Sequence, residues 1–156
     1  MPRPMRRQAT EESMRIEGQS GIVTGAAQGL GEALAKRLAV EGCDVLLTDV
    51  SAEKVKATAA RIVEETGRRA IGVRADVTSE DDCALMVEQA VAAFGKLDIL
   101  VANAGILKAG DVTEFAPEDW RRVIEVNLVG YFLAAQAAAR AMIPRQSGSI
   151  VQINSK

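Results

Sequence analysis

The segment Thr24-Gly25-Ala26-Ala27-Gln28-Gly29-Leu30-Gly31 joins a short apolar run to a stretch of helical period, and its spaced glycines suit one kind of chemistry. Gly25 allows a tight turn out of a strand, Gly29 lets the backbone approach a pyrophosphate, and Gly31 lets the helix pack closely. Together they leave N–H groups and a positive helix end aimed at the anion. A plain glycine turn is the alternative. Asp49 closes the next apolar run, Leu46-Leu47-Thr48-Asp49, where a carboxylate can accept hydrogen bonds from a ribose diol and repel a 2′-phosphate. No Lys or Arg stands at Ala26, Ala27, Gln28 or Val50, so NAD is favoured over NADP. Asp49 can also cap the following helix, and the two roles are compatible.

Other chemistry is excluded by composition. The chain of 156 residues contains no histidine and two isolated cysteines, Cys43 and Cys83, so a His-based triad, a His-ligated metal and a thiolate cage are ruled out and no metal is expected. With 19 Lys plus Arg against 21 Asp plus Glu, the net charge of -2 offers no basic field for a nucleic acid. A hydrophobic share of 48% with 26% charged residues fits one soluble globular domain. Both cysteines lie in apolar segments and read as small buried hydrophobes in a reducing compartment, which predicts a cytoplasmic protein. Residues 1–17 read as a flexible extension. They are rich in Arg and Met without a secretory apolar core, and Glu11 and Glu12 argue against a mitochondrial presequence. No later stretch reads as long and uncharged enough to span a bilayer, so no membrane partner is expected.

These residues must be held by an alternation of short β-branched or aliphatic runs with longer helical segments, the mark of parallel βαβ construction. Strands are predicted over Gly21–Thr24, Val45–Asp49, Ala70–Ala75, Ile99–Ala102 and Ser149–Ile153. Each is apolar nearly throughout, as strands covered on both faces are. Helices are predicted over Gly29–Glu41, Ala52–Thr66, Ser79–Phe94 and Pro117–Ile143. Ser51 and Ser79 stand as N-caps, Gly42, Gly67 and Gly95 follow last turns, and Pro117 opens a helix. No repeat or interdomain linker interrupts residues 18–156.

Gly25, Gly29 and Gly31, then Asp76-Val77, Ala102-Asn103-Ala104-Gly105, Asn127 and Ser155, occur in an order that resembles the classical short-chain dehydrogenase/reductase family over Gly18 to Lys156. The resemblance implies a doubly wound α/β (Rossmann) parallel sheet of order 3-2-1-4-5. It implies a cofactor-binding stretch that includes Gln28 and Leu30, Asp76 and Val77 at the adenine, and Asn103-Ala104-Gly105 stiffening the central strand and lining the nicotinamide end. Asn127 would orient a water or main-chain element in a proton relay, and Ser155 would hydrogen-bond the reacting oxygen of an alcohol or ketone. Asp76 as a turn residue, Asn103 as a strand cap and Asn127 as a polar helix residue are the alternatives.

Two stretches, Val126–Leu133 and Ile150–Lys156, resemble the sorbitol-6-phosphate 2-dehydrogenase branch of that family, chiefly in the Asn154-Ser155-Lys156 ending. The branch implies a polyol or sugar-phosphate substrate, with the Lys156 ammonium near a phosphate. A solvent-facing lysine is the alternative. The family's base is a Tyr-x-x-x-Lys pair. The one tyrosine, Tyr131, is followed four places later by Ala135 and reads as a packing residue. The chain is therefore expected to be an amino-terminal fragment, truncated after its fifth strand and inactive alone. Its last strand would be a bare edge, and a homo-oligomer is expected of the full-length form. A non-catalytic NAD-binding or interaction module is the second reading. A methyltransferase is the third, disfavoured by Ala102–Gly105 and Asn127.

Overall fold

Three consecutive pairs of apolar residues explain how the sheet is covered. Strands β1 (Ser20–Thr24), β2 (Asp44–Asp49), β3 (Ala70–Arg74), β4 (Ile99–Ala102) and β5 (Ser149–Gln152) run parallel in the order β3-β2-β1-β4-β5. Ile22 is level with Leu46 and Leu100, and Val23 with Leu47 and Val101. Because successive side chains point to opposite faces, Ile22, Leu46 and Leu100 enter one apolar cluster and Val23, Leu47 and Val101 the other. The computed structural model describes residues 15–154. Most of the predicted extension, together with Ser155 and Lys156, lies outside them.

Helices α1 (Gly29–Val40) and α2 (Ala52–Thr66) cover the second face with Ala35, Ala39, Val55 and Ile62. Helix α3 (Glu80–Phe94) covers the first with Met86, Val87 and Ala90. The Ser79 hydroxyl accepts from the Asp82 N–H at 3.2 Å, as a cap should. Ser51 does not do this. It stands at the N-cap of α2, yet makes no side-chain cap bond, while its own N–H donates to Asp49 Oδ1 at 3.0 Å.

The segment predicted as one helix from Pro117 is a composite. Helix α4 (Pro117–Ile124) gives way to a π-helical turn over Glu125–Val129, then helix α5 (Gly130–Met142) and a short 3-10 turn over Ile143–Arg145. Gly130 lies against Val77, where an added Cβ would be 2.7 Å from Cγ2. Contrary to expectation, the stretch Pro117–Arg145 is long and apolar enough to cross a membrane by length and composition. One face of its second half packs inside the domain. Ala134, Ala138 and Met142 enter the cluster shared with α3 and the sheet.

The outer strands depart from the predicted pattern. All four residues of β5 are exposed, and β3 is partly exposed along its length, so continuous burial is confined to the three inner strands. At the other end of the chain, Ile16 packs on the α1–α2 cluster and its N–H donates to Glu41 O at 3.1 Å. The last residues of the predicted extension are thus docked. Cys43 and Cys83 are both buried and free. Burial pushes their thiols up to about 12 and about 11, so both are neutral and unreactive in the folded chain.

Asp98 ties the amino-terminal ends of three strands together. Its Oδ2 accepts the Ser20 N–H at 3.0 Å, its Oδ1 meets Arg145 at 3.0 Å and Lys96 lies at 2.9 Å. Its carbonyl takes the Ser149 N–H at 2.8 Å. Burial opposes the charge, but Lys96, the Ser20 N–H and Arg145 outweigh it and hold the carboxyl below the ordinary aspartate value. A depressed folded-state pKa contributes stability above the unfolded value and loses it as pH falls through the folded one. Urea unfolding between about pH 5 and pH 2 should therefore show a steeper loss for the native chain than for Asp98→Asn. Separately, Leu46→Ala should lower the unfolding free energy by about 2–5 kcal/mol.

Candidate functional site

Strands β1 and β4 are neighbours whose following helices lie on opposite faces, so a crevice opens beyond their carboxyl ends. The chain holds that crevice open with a small polar junction. The buried Thr24 hydroxyl accepts the Asn103 N–H at 3.1 Å and the Ala104 N–H at 3.0 Å. In return the Asn103 side-chain amide donates to Thr24 O at 3.0 Å and Gly25 O at 3.1 Å. The Thr24 side chain is buried and the groups it meets are partly so, which makes an unpaired partner here costly.

The glycine turn is built against this junction. Gly25 has φ +63°, and a Cβ there would be 2.7 Å from Ala104 Cα, so both conformation and space require glycine. A Cβ on Gly31 would collide with Gly25 O and approach the Asn103 amide. Gly29, at φ +62°, has nothing within 4 Å of the position a Cβ would take. Its backbone faces open space at the start of α1, the cradle that a diphosphate needs. Gln28 stands at the N-cap of α1 with no side-chain cap bond. Leu30 is exposed in the first turn.

Two threonines that the sequence reading passed over fix the turn from behind. Thr48 O accepts the Ala26 N–H at 3.0 Å, and Thr58 Oγ1 donates to Ala27 O at 2.9 Å. Asp49 Oδ2 accepts the Ala27 N–H at 3.2 Å. With Oδ1 on Ser51, the carboxylate serves the local backbone through one lone pair on each oxygen. A carboxylate has about four acceptor sites, so the remaining pair can face a diol. The capping and ribose readings of Asp49 are compatible in this geometry.

Asp76 forms a turn after β3, the alternative reading of that residue. Its Oδ1 accepts from the Thr78 N–H at 2.9 Å and the Thr78 hydroxyl at 2.7 Å. These two bonds, with Arg122 and Arg74 nearby, hold its carboxyl below the usual aspartate value. Asp82, in the first turn of α3, organises the loop: its Oδ2 accepts the Asp76 N–H at 2.8 Å and pairs with Arg74 at 2.8 Å. Gly25, Asp49, Asp76, Val77, Ala104 and Gly105 then line one cleft of about 190 Å³, with Arg122 and Val126 from the α4 side. Gln28, Gly29, Leu30, Gly31 and Asn103 lie outside its lining.

Asn127 lies in the π-helical turn. Its Oδ1 accepts the Ile106 N–H at 2.9 Å and its amide donates to Ile106 O at 2.9 Å. Of the two roles expected for it, this geometry corresponds to holding a main-chain element. Asn127, Tyr131, Thr24 and Gln152 line a smaller adjoining cleft, and Tyr131 also packs on the α3–α5 cluster. Ser155 and Lys156 lie outside the described residues, so the cleft is described without them.

The family described as short chain dehydrogenase (adh_short) matches residues 20–156. The chain belongs to that family. It is 44% identical over 137 residues to cis-4-hydroxycyclohexanecarboxylate dehydrogenase of Sinomonas cyclohexanicum, covering 86% of this chain and 53% of the relative. It is 41% identical over 139 residues to a mitochondrial borneol dehydrogenase of Lavandula x intermedia, covering 88% of this chain and 51% of the relative. Among solved structures, a 7α-hydroxysteroid dehydrogenase complexed with NADH and 7-oxo glycochenodeoxycholic acid superposes with a TM-score of 0.85 at 31% identity, covering 92% of this chain and 55% of that one. This short-chain dehydrogenase chain thus spans about half the length of the curated relatives it matches.

The junction makes a direct prediction. Thr24→Val keeps the side-chain shape but leaves the Asn103 and Ala104 N–H groups without their acceptor. It should lower the unfolding free energy measured in urea by about 1–3 kcal/mol for each N–H so left.

Proposed function

We propose that the chain supplies the dinucleotide-binding part of an NAD-dependent dehydrogenase that interconverts a secondary alcohol and a ketone. The observation that carries this reading is the cleft beyond β1 to β4, where six residues picked out by the sequence pattern meet. The fit of the coenzyme is supported by the open backbone at Gly29 and by the Cβ collisions that Gly25 and Gly31 avoid. In this reading the N–H groups from Gln28 to Gly31 hold the diphosphate, Asp49 the adenosine ribose, and Asp76 and Val77 the adenine. Ala104 and Gly105 line the way to the nicotinamide. When bound, the coenzyme supplies or removes a hydride at its nicotinamide ring.

The chain's own residues would provide alignment and proton handling. Asn127 fixes the main chain at Ile106 through both of its amide atoms, which keeps the loop after β4 in place beside the nicotinamide end. Ser155 would hydrogen-bond the reacting oxygen. The chain of 156 residues contains no Tyr-x-x-x-Lys pair, since its one tyrosine, Tyr131, is followed four places later by Ala135. Alone it should show negligible turnover.

A small-molecule alcohol or ketone substrate is supported by what the relatives' names say of those proteins. The narrower assignment, a polyol or its phosphate, rests on Asn154-Ser155-Lys156 alone. A self-associating full-length form and a cytoplasmic setting belong to the same proposal, the latter supported by two buried, unpaired cysteines. A non-catalytic NAD-binding module is favoured by the same absent pair. Turnover by a longer product of the gene separates the two readings.

Calorimetry tests the cofactor assignment. Asp49→Ala should weaken NAD binding about tenfold, the loss of a hydrogen bond to a charged group, and should narrow the preference for NAD over NADP. An unchanged NAD dissociation constant would reject the ribose role of Asp49.

A further inference from the structure

The proposed adenine end of the cleft contains a cation that the glycine and aspartate patterns do not explain. Arg122 lies in the second half of α4, four residues before Val126 of the π-helical turn. Both line the cleft together with Asp76 and Val77. Its neighbour Arg121 points elsewhere and lies 3.5 Å from Glu118. Arg122 is exposed, and none of the ion pairs among the described residues engages it at close range, although its charge reaches Asp76.

The chemistry of the pair matters. An ionised carboxylate only accepts hydrogen bonds, and Oδ1 of Asp76 is already occupied by Thr78. A guanidinium only donates. One edge of adenine presents an exocyclic N–H donor beside a ring-nitrogen acceptor, which is the complement of an acceptor from Asp76 and a donor from Arg122. The guanidinium can also lie against the face of the base. A free arginine beside an aspartate that Thr78, Asp82 and Arg74 hold in place gives a fixed acceptor and an adjustable donor.

We propose that Arg122 is a cofactor-binding residue of this chain, closing the adenine end of the cleft and reading the base together with Asp76. This rests on the dinucleotide reading of the cleft. Binding of NAD and of ADP-ribose to the purified chain, measured by calorimetry, tests it with three proteins: the native chain, Arg122→Ala and Arg121→Ala. Arg122→Ala should raise both dissociation constants about tenfold, as loss of one charged hydrogen bond does, while Arg121→Ala leaves both unchanged. Arg122→Gln, which keeps a donor and most of the length, should recover part of the loss. Unchanged binding by Arg122→Ala would overturn the proposal. So would equal weakening by both alanine variants, because that is the effect of net charge alone. Failure of the native chain to bind either compound would instead bring down the dinucleotide reading itself, and with it the role of Arg122.

Discussion

The geometry of the candidate site depends on one hydroxyl. Where β1 and β4 end, two partly buried backbone N–H groups need an acceptor. Thr24 provides it, and Asn103 returns the exchange to the carbonyls of Thr24 and Gly25. This closed set of bonds fixes the spacing between the glycine turn and the loop carrying Ala104 and Gly105. Gly25 and Gly31 can then sit against Ala104 and Asn103 with no room for a Cβ. Gly29, in the same turn, has open space where a Cβ would stand.

Much of the fold was legible in local sequence. Consecutive apolar pairs such as Ile22-Val23 and Leu46-Leu47 can satisfy only a strand with cover on both faces, and both faces are covered. The strand order followed from resemblance, and the sheet has it. Helix ends were legible where the signal was a single residue acting on its own turn, as at Ser79. At Ser51 the boundary was equally legible, since α2 starts at Ala52 as predicted; what the residue type did not reveal is that the hydroxyl makes no cap bond there.

The site residues divide along the same line. Gly25 and Asp49 were marked locally, by a turn and a strand end, whereas Asp76 and Val77 were singled out by the family resemblance. The roles of Thr24, Thr58 and Asp82 were not so marked, since they arise from contacts made after folding; Thr24 and Asn103 are 79 residues apart. Arg122 looked like any surface cation on a helix. It becomes notable only when α4 is laid beside the loop after β3. The π-helical turn within the long helix was equally hidden, because every residue in Glu125–Val129 is also a tolerable α-helix residue.

That turn changes how the helix communicates between its halves. A π-helical segment accommodates one residue more than an α-helical path of the same rise, and each residue added to or removed from a helix swings everything beyond it by about 100°. The halves therefore carry independent phases: α4 presents Arg122 to the cleft, while α5 presents Ala134, Ala138 and Met142 to the sheet, and Val126 of the π-helical turn touches both. Asn127, clamped to Ile106, sits at the seam between them. A one-codon deletion here, harmless in a surface loop, would force a choice between keeping the cleft wall and keeping the core contact, since a regular helix could no longer satisfy both.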